Sequence, residues 1–247
     1  MNSRKLRYTF HALSFSALLG SQIPCFAQSP PNSQNYVVSV RDLKMDGKSH
    51  AAFDKGSRML AKGDTANSIE FLQQAISLFP EHYKAYYDLG VAYFRLGQVA
   101  EAEQAFQKAI DITGGNFAPP QFGLGALLCQ RQDFQHAAAL LQRAVDLDPA
   151  SAVGKYYLSW ALFGLNRLIE AERNAEQALV RNTNMAEAYL LLARIHQRQQ
   201  NGPAVTKDLE LYLKLEPNKD SARHFAQRIQ EEMAQSVTAG LVGAIHP

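Results

Sequence analysis

The sequence has little cysteine and tryptophan, and it lacks the short motifs by which many enzymes are recognised. Its 247 residues include only 2 cysteines and 1 tryptophan. It has no Cys-x-x-Cys, His-Glu-x-x-His or Gly-x-Ser-x-Gly motif and no phosphate-binding glycine loop. Beyond the N-terminal region, no apolar run reaches the roughly 20 residues that span a bilayer core. We therefore expect a protein that is not an enzyme and has no cofactor, metal site or membrane span.

The N-terminal 27 residues are typical of an export signal. Arg4, Lys5 and Arg7 precede an apolar stretch over 10–19, and the small residue Ala27 follows. We expect cleavage after Ala27 and a mature protein in the periplasm, the cell envelope or the medium. An uncleaved anchor is the alternative, but about ten apolar residues are too few to cross a membrane.

The charge balance gives no support for binding to nucleic acid. The whole chain has a formal net charge of +2, and the charged residues of the signal are all basic. Removing them leaves a mature chain near neutrality, at about −1, so bulk charge would not attract a phosphate backbone or an anionic membrane. Only Cys129 remains after cleavage, so the mature chain has no internal disulfide and depends on packing.

What the sequence does contain is a repeat of about 34 residues. Small or short side chains recur in three registers that share this period, and the period corresponds to two helices of about a dozen residues with two tight turns. Small side chains allow helix axes to approach closely. The first register is Gly56, Gly90, Gly125, Ser159 and Ala193; the second is Ser68, Ala102, Ala137, Ala171 and Val205; the third is Ala75, Ala109, Ala144 and Ala178.

Turn residues fall at the positions that this period requires. Gly63, Gly97 and Asn166 occupy the same place after the first helix of a repeat, where a left-handed backbone conformation ends a helix. Gln132 and Gln200 depart from this pattern. Pro80, Pro149 and Pro217 stand at the end of the second helix, which a proline stops.

The run Tyr86-Tyr87-Asp88-Leu89-Gly90-Val91-Ala92-Tyr93, followed by Ala102, Phe106 and Ala109, resembles the tetratricopeptide repeat family. The resemblance covers residues 49–219 and implies an all-α, right-handed α-solenoid of about five helical hairpins. We predict repeats at 49–82, 83–117, 118–151, 152–185 and 186–219. Residues 220–235 are predicted to form a C-terminal capping helix, and residues 236–247 a mobile tail.

The resemblance also implies where a partner would bind. In the family the first helix of each hairpin lines a concave surface, so the inward positions can be assigned in this sequence. Apolar and aromatic residues fill the middle of this predicted groove and basic residues its ends, which favours a peptide or protein partner. The predicted groove residues are Phe53, Lys84, Tyr87, Val91, Phe94, Arg95, Phe122, Tyr156, Trp160, Phe163, Arg194 and Arg198.

The resemblance therefore predicts a non-catalytic scaffold for protein–protein interaction. The alternative is an envelope protein that binds a glycan or lipid, with Trp160, Tyr156 and Phe122 stacking on sugar rings. His196 replaces an aromatic residue at a hairpin-packing position, so we interpret it as a core histidine rather than a metal ligand. Cys129 is expected to be a partly buried, inert thiol.

The segment before the first hairpin differs in character from the repeats. Residues 28–48 are predicted to form an extended linker, and 36–45 (Tyr-Val-Val-Ser-Val-Arg-Asp-Leu-Lys-Met) are β-prone with no helical period. The simpler interpretation is a strap along the first repeat. The sharper hypothesis is an internal strand that occupies the groove until a partner displaces it.

Overall fold

The computed structural model describes residues 47–217 together with 220, 223–224, 227–229 and 231. Residues 47–217 form ten helices, and each helix packs against the next one along the chain. The helices are α1 (Gly47–Ala61), α2 (Thr65–Leu78), α3 (Tyr83–Arg95), α4 (Val99–Thr113), α5 (Ala118–Gln130), α6 (Phe134–Leu147), α7 (Ala152–Gly164), α8 (Leu168–Arg181), α9 (Ala186–Arg198) and α10 (Gly202–Leu215).

The helices pair into five successive hairpins, which confirms the predicted α-solenoid of tetratricopeptide type. The first helices also contact one another in sequence, α1 with α3, α3 with α5, α5 with α7, and α7 with α9. None of the described helices is both long enough and apolar enough to cross a membrane.

The three registers of small residues lie in the core of the array. Every member of the second and third registers is fully buried, and every member of the first is buried. The helices are amphipathic except α5 and α7, most of whose residues are buried. The main apolar cluster accordingly runs from Leu60 to Ile195 through the middle hairpins.

Small residues of the first register face large ones in the second helix of the same hairpin. A Cβ atom on Gly90 would lie 2.6 Å from the Phe106 ring, and one on Gly125 would lie 2.5 Å from Leu141 Cδ2. These partners stand sixteen positions apart in the sequence. In the fourth hairpin the same positions hold Ser159 and Ala175, so the larger and smaller side chains have changed places.

All five hairpin turns contain a left-handed residue. Gly63 and Gly97 have φ values of 84° and 74°, and Asn166 has 61°. Gln132 and Gln200, which differ from the expected turn residues, adopt the same conformation with φ values of 62° and 59°. Hairpin packing therefore imposes a left-handed residue even where the side chain opposes it, at a cost of roughly 1–2 kcal/mol per residue.

The ends of the second helices agree with the proline pattern. α2, α6 and α10 end at Leu78, Leu147 and Leu215, and in each case a proline follows two residues later. Of the predicted capping helix, the described positions from 220 to 231 are helical, and Ile229 is only 2% exposed in a cluster with Ala193, Val205 and Leu209. The predicted signal at 1–27, the segment at 36–45 and the tail at 236–247 lie outside the described residues.

Candidate functional site

The predicted groove residues all lie on α1, α3, α5, α7 and α9, the first helices of the hairpins. We refer to the side of these helices that carries them as the inner face. Because the first helices contact one another directly, the inner face is continuous from the first hairpin to the fifth. It therefore carries residues from all five repeats.

The middle of the inner face is buried. Val91 is 2% exposed and Trp160 is 6% exposed, and Phe94, Phe122 and Tyr156 are buried with them in the main apolar cluster. The Tyr156 and Tyr157 rings lie 5.1 Å apart, and the Tyr157 and Trp160 rings lie 6.2 Å apart. These aromatic side chains thus contribute to packing of the array, whatever else they bind.

Two of the predicted basic groove residues contact the backbone of the preceding hairpin. Arg95 Nη1 donates a hydrogen bond to the Leu60 carbonyl at 2.7 Å, and Arg198 Nη1 donates to the Phe163 carbonyl at 3.1 Å. Both bonds span 35 residues, so they are equivalent contacts between neighbouring hairpins. The first joins the second hairpin to the first, and the second joins the fifth hairpin to the fourth. The acceptors lie near the C-terminal ends of α1 and α7, where carbonyls have no partner in the regular helical pattern. Each also accepts from a turn amide, Gly63 N–H for Leu60 and Asn166 N–H for Phe163.

The remaining predicted groove residues are partly buried. The Phe53 ring packs 4.6 Å from the His82 ring, and the Tyr87 ring lies 6.1 Å from that of Phe106. The Lys84 ammonium lies 5.4 Å from the centre of the Tyr83 ring. These side chains keep some solvent contact and flank the buried middle.

Phe163 and Arg194 are the last two predicted groove residues, and they lie toward the C-terminal end of the array. The Arg198 guanidinium covers the Phe163 ring, 4.0 Å from the ring centre, and Arg194 is partly buried on α9. The Arg198 side chain itself is exposed. A cation above an aromatic face stabilises this end of the inner face and leaves part of its charge in water.

The inner face is electrostatically perturbed at α3. Burial raises the pKa of Asp88 to about 6, although a hydrogen bond with Ser57 and the charge of Arg95 both lower it. Burial also raises the pKa of Tyr87, and the Asp88 carboxylate adds to that shift. Sequence patterns gave no reason to single out Asp88, because its burial depends on the first hairpin packing against the second.

A second polar cluster joins the last two hairpins. His196 Nδ1 lies 2.6 Å from Asp208 Oδ2, and its Nε2 lies 3.1 Å from Glu172 Oε1. Gln199 donates a further hydrogen bond to Glu172 at 2.7 Å. His196 is thus a buried, hydrogen-bonded core histidine. The sequence feature that could have revealed its partner is the position of Asp208, an aspartate among the buried residues Val205, Leu209 and Tyr212 of α10.

This cluster favours a protonated imidazole. Burial lowers the pKa of His196, but hydrogen bonds to Glu172 and Asp208 outweigh it and raise the pKa overall. Glu172 is held below its ordinary pKa chiefly by the Gln199 hydrogen bond. Among the described residues, no group of His, Cys, Asp or Glu side chains could hold a metal ion.

Cys129 is more deeply buried than the sequence suggested. It is 1% exposed on α5, and burial raises the pKa of its thiol. Its sulfur lies 4.0 Å from the Tyr157 carbonyl. A thiol that stays protonated and excluded from solvent is a poor nucleophile.

The family model described as Tetratricopeptide repeat matches residues 53–117, the stretch that contains α3 and α4 together with most of the first hairpin. Over that stretch the chain matches the tetratricopeptide repeat family. Among curated proteins, Tetratricopeptide repeat protein 16 of Mus musculus is 24% identical over 204 residues, which are 78% of this chain and 27% of that protein. This repeat protein therefore spans about a quarter of the length of that relative.

Solved structures support the same fold for the repeat protein. MamA from Desulfovibrio magneticus RS-1 has a TM-score of 0.57 at 20% identity, with 71% of this chain and 99% of that chain covered. YrrB, described as a TPR protein with an unusual peptide-binding site, has a TM-score of 0.54 at 20% identity, with 76% and 95% covered. At this identity the likeness establishes the solenoid and not the ligand.

Proposed function

We propose that this tetratricopeptide repeat protein is a non-catalytic scaffold that binds a peptide or protein partner along the inner face, after export from the cytoplasm. The observation that supports this most is the continuity of apolar and aromatic side chains across α3, α5 and α7, with basic residues toward both ends. Solenoids use such a surface to bind one extended partner across several repeats.

The burial pattern favours some inner-face residues over others as the first contacts of a partner. Trp160 and Val91 are packed in the array, so contact begins at the partly buried residues Lys84, Tyr87 and Phe163. The Phe163 ring and the Arg198 guanidinium above it form an aromatic and cationic contact point at one end. The peptide-binding site described for YrrB lends support by analogy of fold.

The test is affinity capture with matched charge reversals. Lys84→Glu changes a cation on the inner face, and Lys108→Glu makes the same change on the exposed side of α4. We expect partner capture from the native cell envelope to fall for Lys84→Glu and to persist for Lys108→Glu. Equal capture by both variants would exclude this part of the inner face as the binding surface.

Trp160 provides a second readout, because it is the only tryptophan. Binding of an extended peptide to the inner face should change its emission, and Trp160→Phe supplies the background. A response to glycans or lipids with none to peptides would support the alternative function instead.

A further inference from the structure

Charge is distributed unevenly between the two sets of helices. The first helices of the five hairpins together contain eight lysine and arginine residues and three acidic residues, a net charge of +5. The second helices contain six basic and ten acidic residues, a net charge of −4. Because the inner face belongs to the first helices, it lies on the positive side of an array whose two sets of helices nearly balance each other.

From α3 to α9, the cations of the inner face are grouped at two places. Lys84 and Arg95 lie on α3, and Arg194 and Arg198 lie on α9. Between them, α5 contains no charged residue. The one charged residue of α7 is Lys155, which lies roughly a third of a turn away from the inner-face residues of that helix. This part of the inner face therefore has two cationic ends and an uncharged middle.

The uncharged middle retains apolar side chains with some solvent contact. Pro119 on α5 and Val153 on α7 occupy the position that Lys84 occupies on α3, and both are partly buried. Phe163 of α7 is also partly buried, beneath the Arg198 guanidinium. An occupant would therefore gain from apolar side chains in the middle and from acidic side chains at the two ends.

The acidic residues of α3 and α9 offset only part of this positive charge. Asp88 on α3 shares a hydrogen bond with Ser57 of α1, and burial raises its pKa to about 6. On α9, Glu187 lies close enough to α10 that its charge, with burial and the charge of Glu216, raises the pKa of Tyr212. Each cationic end thus has more basic than acidic residues.

The two ends are separated by the length of a short extended peptide. Neighbouring helices pack roughly 8–10 Å apart, so the three steps from α3 to α9 cover roughly 24–30 Å. An extended chain advances about 3.3–3.6 Å per residue, so about 7–9 residues cover that distance. A nucleic acid strand has one phosphate per roughly 3.4 Å, so most of its charges would face the uncharged middle. The spacing therefore favours a peptide.

We propose that the inner face binds an extended peptide segment of about 7–9 residues that has acidic residues toward both ends and apolar residues between them. The acidic ends pair with the cations of α3 and α9, and the apolar residues lie against α5 and α7. This inference rests on the proposed function, because it names the chemistry of the partner for the same surface.

The test measures the fluorescence anisotropy of labelled synthetic peptides with the wild-type protein. The probe is Glu-Glu-Leu-Tyr-Ala-Ala-Tyr-Leu-Glu-Glu, about 33 Å long when extended. One control has lysine in place of each glutamate, and the other, Leu-Tyr-Ala-Glu-Glu-Glu-Glu-Ala-Tyr-Leu, has the same composition with its acidic residues in the middle.

We expect the probe to bind at least about 10-fold more tightly than either control, because each exposed ion pair contributes up to about fivefold. Its affinity should fall between about 0.1 M and about 1 M salt, over which the Debye length shrinks from roughly 10 Å to roughly 3 Å.

Charge reversals locate the binding. Lys84→Glu and Arg198→Glu should each lower the affinity for the probe roughly 3- to 25-fold, since a reversal replaces attraction with repulsion of similar size. The matched controls are Lys108→Glu on α4 and Arg173→Glu on α8, both at exposed positions of second helices, and they should leave the affinity unchanged. Circular dichroism checks that each variant is folded, and the comparison of peptides on the wild-type protein requires no variant.

Several results would overturn the inference. Either control peptide, or a ten-nucleotide oligothymidylate, could bind as tightly as the probe; a control peptide whose binding still falls with Lys84→Glu would leave the proposed function intact. Failure of every peptide to bind, with partner capture still dependent on Lys84, would also remove only the inference. Self-association of the wild-type protein that Lys84→Glu abolishes would identify a second copy, docked through its acidic second helices, as the occupant.

Discussion

The fourth hairpin holds a larger residue where the third has Gly125 and a smaller one where the third has Leu141. We predict that this residue pair can be introduced into the third hairpin only as a pair. Gly125 leaves no room for a Cβ atom, because that atom would lie 2.5 Å from both Cγ and Cδ2 of Leu141. In the fourth hairpin, Ser159 occupies the equivalent position and donates a hydrogen bond to the Ala171 carbonyl at 2.6 Å. The residue sixteen positions after it is the small Ala175.

Each single change should destabilise the third hairpin. Gly125→Ser gains about 0.5 kcal/mol in helix propensity but should lose roughly 1–3 kcal/mol through overpacking against Leu141. Leu141→Ala removes a fully buried side chain and should cost about 2–5 kcal/mol.

The double variant should be more stable than the sum of the two single changes. Its serine has room once Leu141 is gone, and the fully buried Ala137 carries the carbonyl that corresponds to that of Ala171. We expect a favourable coupling of about 1–3 kcal/mol.

Urea unfolding followed by helical circular dichroism, with all four proteins in one cycle, measures this coupling. Additivity within about 0.5 kcal/mol would refute the reasoning. It would show that the two side chains do not compete for the same space.

Three further predictions follow from the turns and the polar contacts. Gln132→Gly and Gln200→Gly should each raise the free energy of unfolding by about 1 kcal/mol, since both residues have a left-handed φ that glycine adopts without strain. Arg95→Met should cost about 1–2 kcal/mol, because it removes the charged donor to the Leu60 carbonyl, which keeps only the Gly63 N–H. The stability contributed by His196 should be complete below its ordinary pKa of 6.5 and should fall as pH rises through its higher folded-state pKa; His196→Gln should flatten that decline.

Each of these has a matched control. Gly63→Ala should lower the thermal midpoint, and equal effects of Gly63→Ala and Gln132→Gly would contradict the turn argument. Arg95→Met is compared with Arg131→Met, which breaks an exposed ion pair with Glu103 and should cost less than about 1 kcal/mol. For the pH prediction, the comparison is His136→Gln, whose exposed partner is Asp133. Equally flattened profiles would show that His196 is not the source.

The sequence by itself determined the architecture. A period of 34 residues, visible in small side chains such as Gly90 and Ala109, is tied to hairpin length and close helix packing. Those requirements act on each repeat separately, so they leave a direct mark on the residue at each register. The helices that end before a proline could also be predicted directly, because proline stops a helix through its own backbone chemistry.

Tertiary structure decided the features that depend on pairs of residues far apart in the chain. The left-handed Gln132 and Gln200 follow from hairpin geometry that overrides local preference. The His196 cluster unites α8, α9 and α10, and Arg95 donates a hydrogen bond to a carbonyl 35 residues away. The inner-face positions could be assigned from the resemblance to the tetratricopeptide repeat family, but the burial of Trp160 could not, because exposure depends on what packs around a side chain. Periodicity fixes the side of the helix on which a residue lies, and only the assembled array fixes what that residue meets there.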